Sequence, residues 1–252
     1  MARVVLKMSG EAIVDVDNGG VISAERLDSF SSQVAAAMEA EPALQLALVV
    51  GGGNIIRGKS LKGIPRITGD YMGMLATVIN ALPLKDSLAK CGRDSRILSG
   101  IDIPKVAEPY IQGRALRHLE KGRVLIFAGG MGNPFFTTDT AAALRASEIS
   151  ASLLLYAKFG TDGVYDKDPR RFADAVKYSQ MSYEEFLARN LQVMDSEAVS
   201  LCRSNQLPIY VFDTEGENAV REALLGEVDT GTYISDIAAA AADEPRAPLE
   251  AI

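Results

Sequence analysis

Apolar runs of strand length alternate with helix-length patterns along nearly the whole chain, and this alternation restricts the fold more than any other feature of the sequence. Strands are predicted at residues 3–8, 46–50, 94–98, 123–128, 152–158, 208–212 and 232–234. Between them lie helical patterns: one from Ser23 through Leu27, Phe30, Val34 and Met38, one from about Gly69 to Lys90, and one over 111–120. Others start near Thr138 and cover 182–189, 195–204 and 217–225. Ser23-Ala24-Glu25-Arg26 is expected to open its helix as a capping box. Parallel neighbours need a crossover, usually a helix. The expected fold is therefore α/β, a three-layer αβα sandwich with a mostly parallel central sheet and ligands at the strand C-termini.

Four predicted strands end in the residues that such a sheet uses for ligands. Lys7-Met8-Ser9-Gly10-Glu11-Ala12 places a lysine at the end of a core strand, where an unpaired ammonium is costly and an anion removes the cost. Taken alone, the motif fits a surface lysine at a fraying strand end slightly better. The second run ends in Gly51-Gly52-Gly53-Asn54, where backbone approaches something closely. The fourth, at 123–128, gives Gly130-Met131-Gly132-Asn133-Pro134-Phe135-Phe136-Thr137-Thr138-Asp139, a glycine turn running into a helix start. Backbone N–H groups, hydroxyls and a positive helix end suit a phosphate there, although Thr137 or Thr138 would also serve as a plain cap. The fifth ends at Lys158, ahead of a glycine- and aspartate-rich loop over 159–169 in which Tyr165 either stacks on a base or sits half-buried.

Two motif matches fail on context. Gly53 to Ser60 fits the phosphate-loop pattern, but Gly63 and Pro65 follow where its helix must begin. The aspartates of Asp15-Val16-Asp17-Asn18-Gly19-Gly20 lack the spacing and closing glutamate of a calcium loop. Composition removes further classes. A net charge of −7 argues against a general nucleic-acid binder. The lone histidine, His118, lies in a charged helix end, where a solvated or capping role is expected, so histidine nucleophile chemistry is set aside. There is no membrane-length apolar run and no signal-like N-terminus, and Cys91 and Cys202 read as reduced thiols of a cytoplasmic protein. Residues 1–236 are expected as one domain, followed by a mobile alanine-rich and acidic tail over 237–252.

These motifs occur together in one order: Lys7 to Ala12, Gly51 to Asn54 with Arg57, Gly69-Asp70-Tyr71-Met72-Gly73-Met74, Gly132 to Asp139, and Asp162-Gly163-Val164-Tyr165. In this the chain resembles the bacterial UMP kinases of the amino-acid-kinase superfamily, over residues 3 to about 235. The resemblance implies transfer of the ATP γ-phosphate to UMP with Mg2+ carried by ATP and no dedicated protein metal site. It places the acceptor in the half up to about residue 150 and ATP in residues 151–236.

Carried over by position, Lys7, Met8, Ser9 and Gly10 face the ATP phosphates with Gly53 and Arg57, while Phe159, Tyr165 and Asp168 match the adenine side. Gly52, Asp70 (through the ribose), Met131, Gly132, Asn133, Pro134, Phe135, Phe136, Thr137 and Thr138 match the UMP side. Lys7, Lys158, Asp139 and Asp195 match the catalytic positions. The family also implies a homohexamer, with GTP or UTP as effectors acting through Asp15, Val16, Asp17, Asn18, Gly19 and Gly20. Three positions depart from its pattern: Met131 stands where Thr is usual, Tyr156 where some members have Lys, and the 15–20 loop lacks the usual Phe. Met131 and that loop motivate an alternative, a nucleotide-binding protein of the same fold without catalysis or with altered specificity.

Overall fold

The computed structural model describes residues 2–14, 19–56, 61–228 and 230–236. The effector expectations at Asp15 to Asn18, the ATP-side expectation at Arg57 and the 237–252 tail lie outside the described residues. Nine strands form one sheet in the order β4-β3-β5-β2-β1-β6-β10-β11-β9. They are β1 (Arg3–Met8), β2 (Gln45–Val50), β3 (Ser95–Ser99), β4 (Glu108–Pro109), β5 (Val124–Ala128), β6 (Leu153–Lys158), β9 (Gln180–Met181), β10 (Ile209–Asp213) and β11 (Thr232–Ile234). From β4 to β10 every pairing is parallel, and the sheet reverses only where β10 meets β11. A separate hairpin joins β7 (Val164–Tyr165) to β8 (Lys177–Tyr178). The α/β sandwich expected from the alternation is the observed fold.

Strand parity decides what faces what. Successive side chains point to opposite faces, so Val4, Leu6 and Met8 enter one core while Val5 enters the other. The first core is closed by α1 (Ala24–Ala40), α2 (Arg66–Lys90) and α7 (Ala219–Leu225). The second is closed by α3 (Gln112–Glu120), α4 (Thr138–Glu148), α5 (Tyr183–Ala188) and α6 (Ser196–Ser204). Lys7 shares parity with Val5, so it points to the second face, where its register partner on β6 is Tyr156. The C-terminal ends of β1, β2, β5 and β6 lie side by side, which gathers the four strand-end motifs at one edge.

Several boundaries differ from expectation. The α2 helix starts at Arg66, behind Pro65 as its N-cap, so Asp70 is the helix's fifth residue and not a cap. It also continues through Pro83, although proline removes a helix hydrogen bond and crowds the preceding turn. Ser23 caps α1, accepting from Arg26 N–H at 3.2 Å, but the capping box is half made: its return carboxylate would need to stand where Arg26 does. A 3-10 turn at Gly10–Ile13, capped by Ser9, follows β1. Residues 61 to 65 are turn rather than helix, as the rejection of a phosphate loop requires.

Candidate active site

At the end of β1 the Lys7 ammonium is buried, 6% exposed, with its charge matched by the chain itself. Its Nζ lies 2.9 Å from Asp139 Oδ1, and Asp139 stands in the first turn of α4. This corrects the surface-lysine reading: the cost of burial is removed by Asp139. Tyr156, beside Lys7 in the register, donates its hydroxyl to Asp139 Oδ2 at 2.7 Å and accepts from Lys7 Nζ at 3.3 Å. The backbone N–H of Asp195 also donates to Asp139 Oδ2, at 3.3 Å. Burial pushes the Asp139 carboxyl upward, but the Lys7 charge and the hydrogen bonds from Tyr156, Lys7 and Asp195 outweigh it and hold it below the ordinary carboxylate value. Burial, with the Asp139 charge beside it, drives the Tyr156 phenol well above its usual range and keeps it a proton donor.

This buried cluster touches a cavity on either side. On one side Thr137 caps α4, accepting from Asp139 N–H at 3.2 Å, while its own hydroxyl donates to Asp195 Oδ2. Asp195 is the N-cap residue of α6, yet its side chain makes no capping bond. Thr137 and Thr138 line a cavity of about 380 Å³ whose walls include Gly52, Asp70, Met131, Asn133 and Phe136. On the other side Lys158, at the end of β6, donates to Val193 O at 3.1 Å. Lys158 and Val193 line a second cavity of about 460 Å³ together with Ser9, Phe159, Tyr165 and Asp168. Burial first, then the positive charge of Lys7, lowers the Lys158 pKa. The Lys7–Asp139 pair, with Lys158 near the Tyr156 ring, thus adjoins residues of both cavities, an arrangement suited to neutralising charge that develops in transit.

Backbone turns bring the cavity walls together. A Cβ at Gly52 would fall 2.8 Å from Gly73 O and 2.9 Å from Ala76 Cβ, so the turn after β2 packs directly on α2. Gly132 holds φ at +82°, and a Cβ there would come within 2.2 Å of Gly100 O. Phe135 also adopts positive φ, 75°, and its N–H donates to Asp70 Oδ2 at 2.8 Å.

Some expected residues lie elsewhere. Met8 puts its side chain in the core, 1% exposed, so only its backbone is at hand for a ligand. Gly53, expected beside ATP, lines the first cavity next to Gly52. Gly10 packs against that same turn, where a Cβ would meet Asn54 Oδ1 at 2.4 Å. Gly132, half-buried Pro134 and exposed Phe135 do not line the cavity, whereas Phe136 does. His118 is not solvated: its Nε2 lies 3.3 Å from Glu108 and its Nδ1 3.0 Å from Arg123.

Other residues escaped notice in the sequence. Arg66 donates from Nε to both Asp70 oxygens, at 2.8 and 2.7 Å. Thr77 accepts from Gly129 N–H at 2.7 Å, and Asn80 donates to Gly51 O at 2.7 Å while pairing with Asn54. The signal for the last two was present as buried polar residues spaced to follow Gly73 on one face of α2.

Comparison with known proteins places the fold in a known family. The model of the amino acid kinase family matches residues 2–213. The crystal structure of UMP kinase from Bacillus anthracis superposes with a TM-score of 0.87 at 37% identity, covering 93% of this chain and 96% of that one. UMP kinase from Ureaplasma parvum superposes with a TM-score of 0.87 at 34% identity, covering 93% and 99%. With the sheet order, the strand-end motifs and the match over residues 2–213 in agreement, the chain belongs to the amino acid kinase family.

Proposed function

We propose that the protein transfers the γ-phosphate of ATP to UMP, giving UDP and ADP. The observation that carries this reading is the pair of cavities flanking one buried Lys7–Asp139 pair, with Lys158 beside it. Phosphoryl transfer asks for in-line positioning and neutralisation of charge on the moving group, more than for a nucleophile on the protein. In this reading UMP occupies the cavity of Gly52, Asp70, Met131, Asn133 and Phe136, with its phosphate toward Thr137 and Thr138 at the positive end of α4. Asp70 serves the ribose. ATP occupies the cavity of Ser9, Phe159, Tyr165 and Asp168, with its phosphates toward Lys7 and Lys158. Asp139 holds Lys7 in place, and Asp195 ties α6 to the α4 start through Thr137.

Mg2+ enters as part of the ATP substrate. Asp139 has both oxygens engaged by Lys7, Tyr156 and the Asp195 N–H, which suits it to orienting the lysine more than to building a metal cage. The product places the enzyme in pyrimidine nucleotide synthesis, in the cytoplasm, a setting that the two free cysteines support. Self-association, as the hexamer implied by the sequence resemblance, draws support from α2: Ile67, Tyr71, Leu75, Ile79 and Leu82 are all exposed along one helix face. GTP and UTP remain the effectors to test, through the loop that ends at Gly19 and Gly20.

A coupled assay for ADP release with UMP, CMP and dTMP as acceptors tests the central claim. UMP is expected to be the best acceptor by at least about tenfold, because a buried site discriminates through the polar groups it leaves unpaired. Equal rates on CMP, or ATP binding without UDP at any Mg2+ concentration, would overturn it.

A further inference from the structure

The transfer site contains a buried group that the charge pattern alone does not demand, the phenol of Tyr156. Its hydroxyl sits between the Lys7 ammonium, at 3.3 Å, and Asp139 Oδ2, at 2.7 Å. Its ring centroid lies 4.4 Å from Lys7 Nζ and 5.5 Å from Lys158 Nζ, so one aromatic ring serves two cations that repel each other. We propose that Tyr156 is a positioning residue: its hydroxyl fixes the roll of the Lys7 ammonium and its ring holds Lys7 and Lys158 close enough to act on one phosphoryl group. This rests on the kinase reading above, which makes Lys7 and Lys158 the charges that meet the transferred group.

The geometry explains why a hydroxyl serves there. An ammonium has three N–H donors. One is taken by Asp139 Oδ1 and a second is directed at the Tyr156 oxygen, whose own proton goes to Asp139 Oδ2. In the proposed role the third donor serves the transferred group. Parallel register places Tyr156 beside Lys7 on neighbouring strands, so the contact is built into the sheet and needs no loop to form it. Without the hydroxyl the ammonium keeps Asp139 as its one hydrogen-bonded partner in the cluster and can shift around it, and a displacement of about 1 Å at a reacting group is costly in rate.

Two variants separate the two parts of the role. Tyr156→Phe keeps the ring and removes the hydroxyl; Tyr156→Leu removes both. In the UMP assay Tyr156→Phe is expected to lower kcat about 10- to 100-fold while KM for ATP and UMP moves less than about threefold, the pattern of an interaction that matters in the transition state. Tyr156→Leu is expected to lower kcat further and to raise KM for ATP as the lysines separate.

An independent readout needs no substrate. The Lys7 side-chain ammonium of 15N-labelled protein, assigned by its absence in Lys7→Arg, is expected to give an exchange-protected signal that Tyr156→Phe abolishes. A Tyr156→Phe kcat within about threefold of wild type, or an unchanged ammonium signal, would overturn the proposal. So would a kcat loss matched by an equal loss of folded protein in thermal unfolding, which marks Tyr156 as packing alone. A wild type inactive on UMP fails the kinase reading instead, and the ammonium signal then decides the case for Tyr156.

Discussion

Lys7 and Asp139 show why an active-site substitution here has to be read together with stability. Both are buried, and each is the other's counter-charge at 2.9 Å. Removing one side of such a pair typically costs about 3–5 kcal/mol, because the remaining charge stays buried and unpaired. Lys7→Met is therefore expected to lower unfolding free energy at neutral pH by about 3 kcal/mol, as well as to reduce kcat by about a thousandfold or more. Pairing it with Asp139→Asn is expected to recover most of the stability and none of the activity, which denaturant unfolding and the coupled assay separate. The pH dependence has a definite sign. The Asp139 carboxyl lies below its ordinary value of 3.8 in the folded wild type, so its contribution to stability is full above that value and is lost as pH falls through the folded one. In Lys7→Met the same carboxyl is buried without its partner, so the deficit against wild type is largest above that range and closes as the carboxyl protonates. A deficit that stays constant into acid would assign it to packing rather than charge.

At the scale of elements, the site is made where strands stop and turns cross. Gly132 sits 2.2 Å, measured from an ideal Cβ, from the carbonyl of Gly100, with φ at +82°. Gly132→Ala carries both a steric clash and a left-handed backbone cost, together about 2–4 kcal/mol. Relief requires the turn after β5 to lift from the turn after β3, which carries the acceptor wall with it. The expected outcome is a rise in KM for UMP of more than about tenfold with KM for ATP nearly unchanged. Parallel shifts in both constants would show that the turn does not belong to one side.

The turn was legible in the sequence because glycines between an apolar run and a threonine-capped helix leave few alternatives. The partner carbonyl at Gly100 was not, because nothing local encodes which turn lies opposite. The two-residue strands β4, β7, β8 and β9 were missed for a related reason: they are too short to show a period. Lys7 was legible as an oddity and Asp139 as a helix-start carboxylate, but their pairing depends on strand parity and on α4 crossing β1. Tyr156 shows the limit most clearly. In sequence it stands where some family members have a lysine; only the register places it beside Lys7.

For the whole molecule, the outer face of α2 remains to be accounted for. Its buried face carries Met74, Val78, Ala81, Leu84 and Leu88, as a core helix should. The opposite face repeats Ile67, Tyr71, Leu75, Ile79 and Leu82 at intervals of three or four residues, each at least 41% exposed. Single exposed apolar residues are ordinary, but a stripe running most of a 25-residue helix is the kind of surface that an interface covers. A second copy of the chain is the partner that the proposed oligomer supplies, and an isologous contact would set one α2 stripe against another. Leu75→Glu with Ile79→Glu places two carboxylates in the middle of that contact, where each is costly to desolvate. Sedimentation at micromolar concentration is expected to give the wild type well above its chain mass of 26.9 kDa and the double variant a smaller species. Because neither residue lines either of the two cavities proposed for UMP and ATP, the dissociated form should still bind ATP, with its thermal midpoint falling as the protein is diluted no further than in the wild type. A wild type that sediments as a monomer, or a double variant indistinguishable from it in mass, would leave the stripe as exposed apolar surface without a partner in this chain.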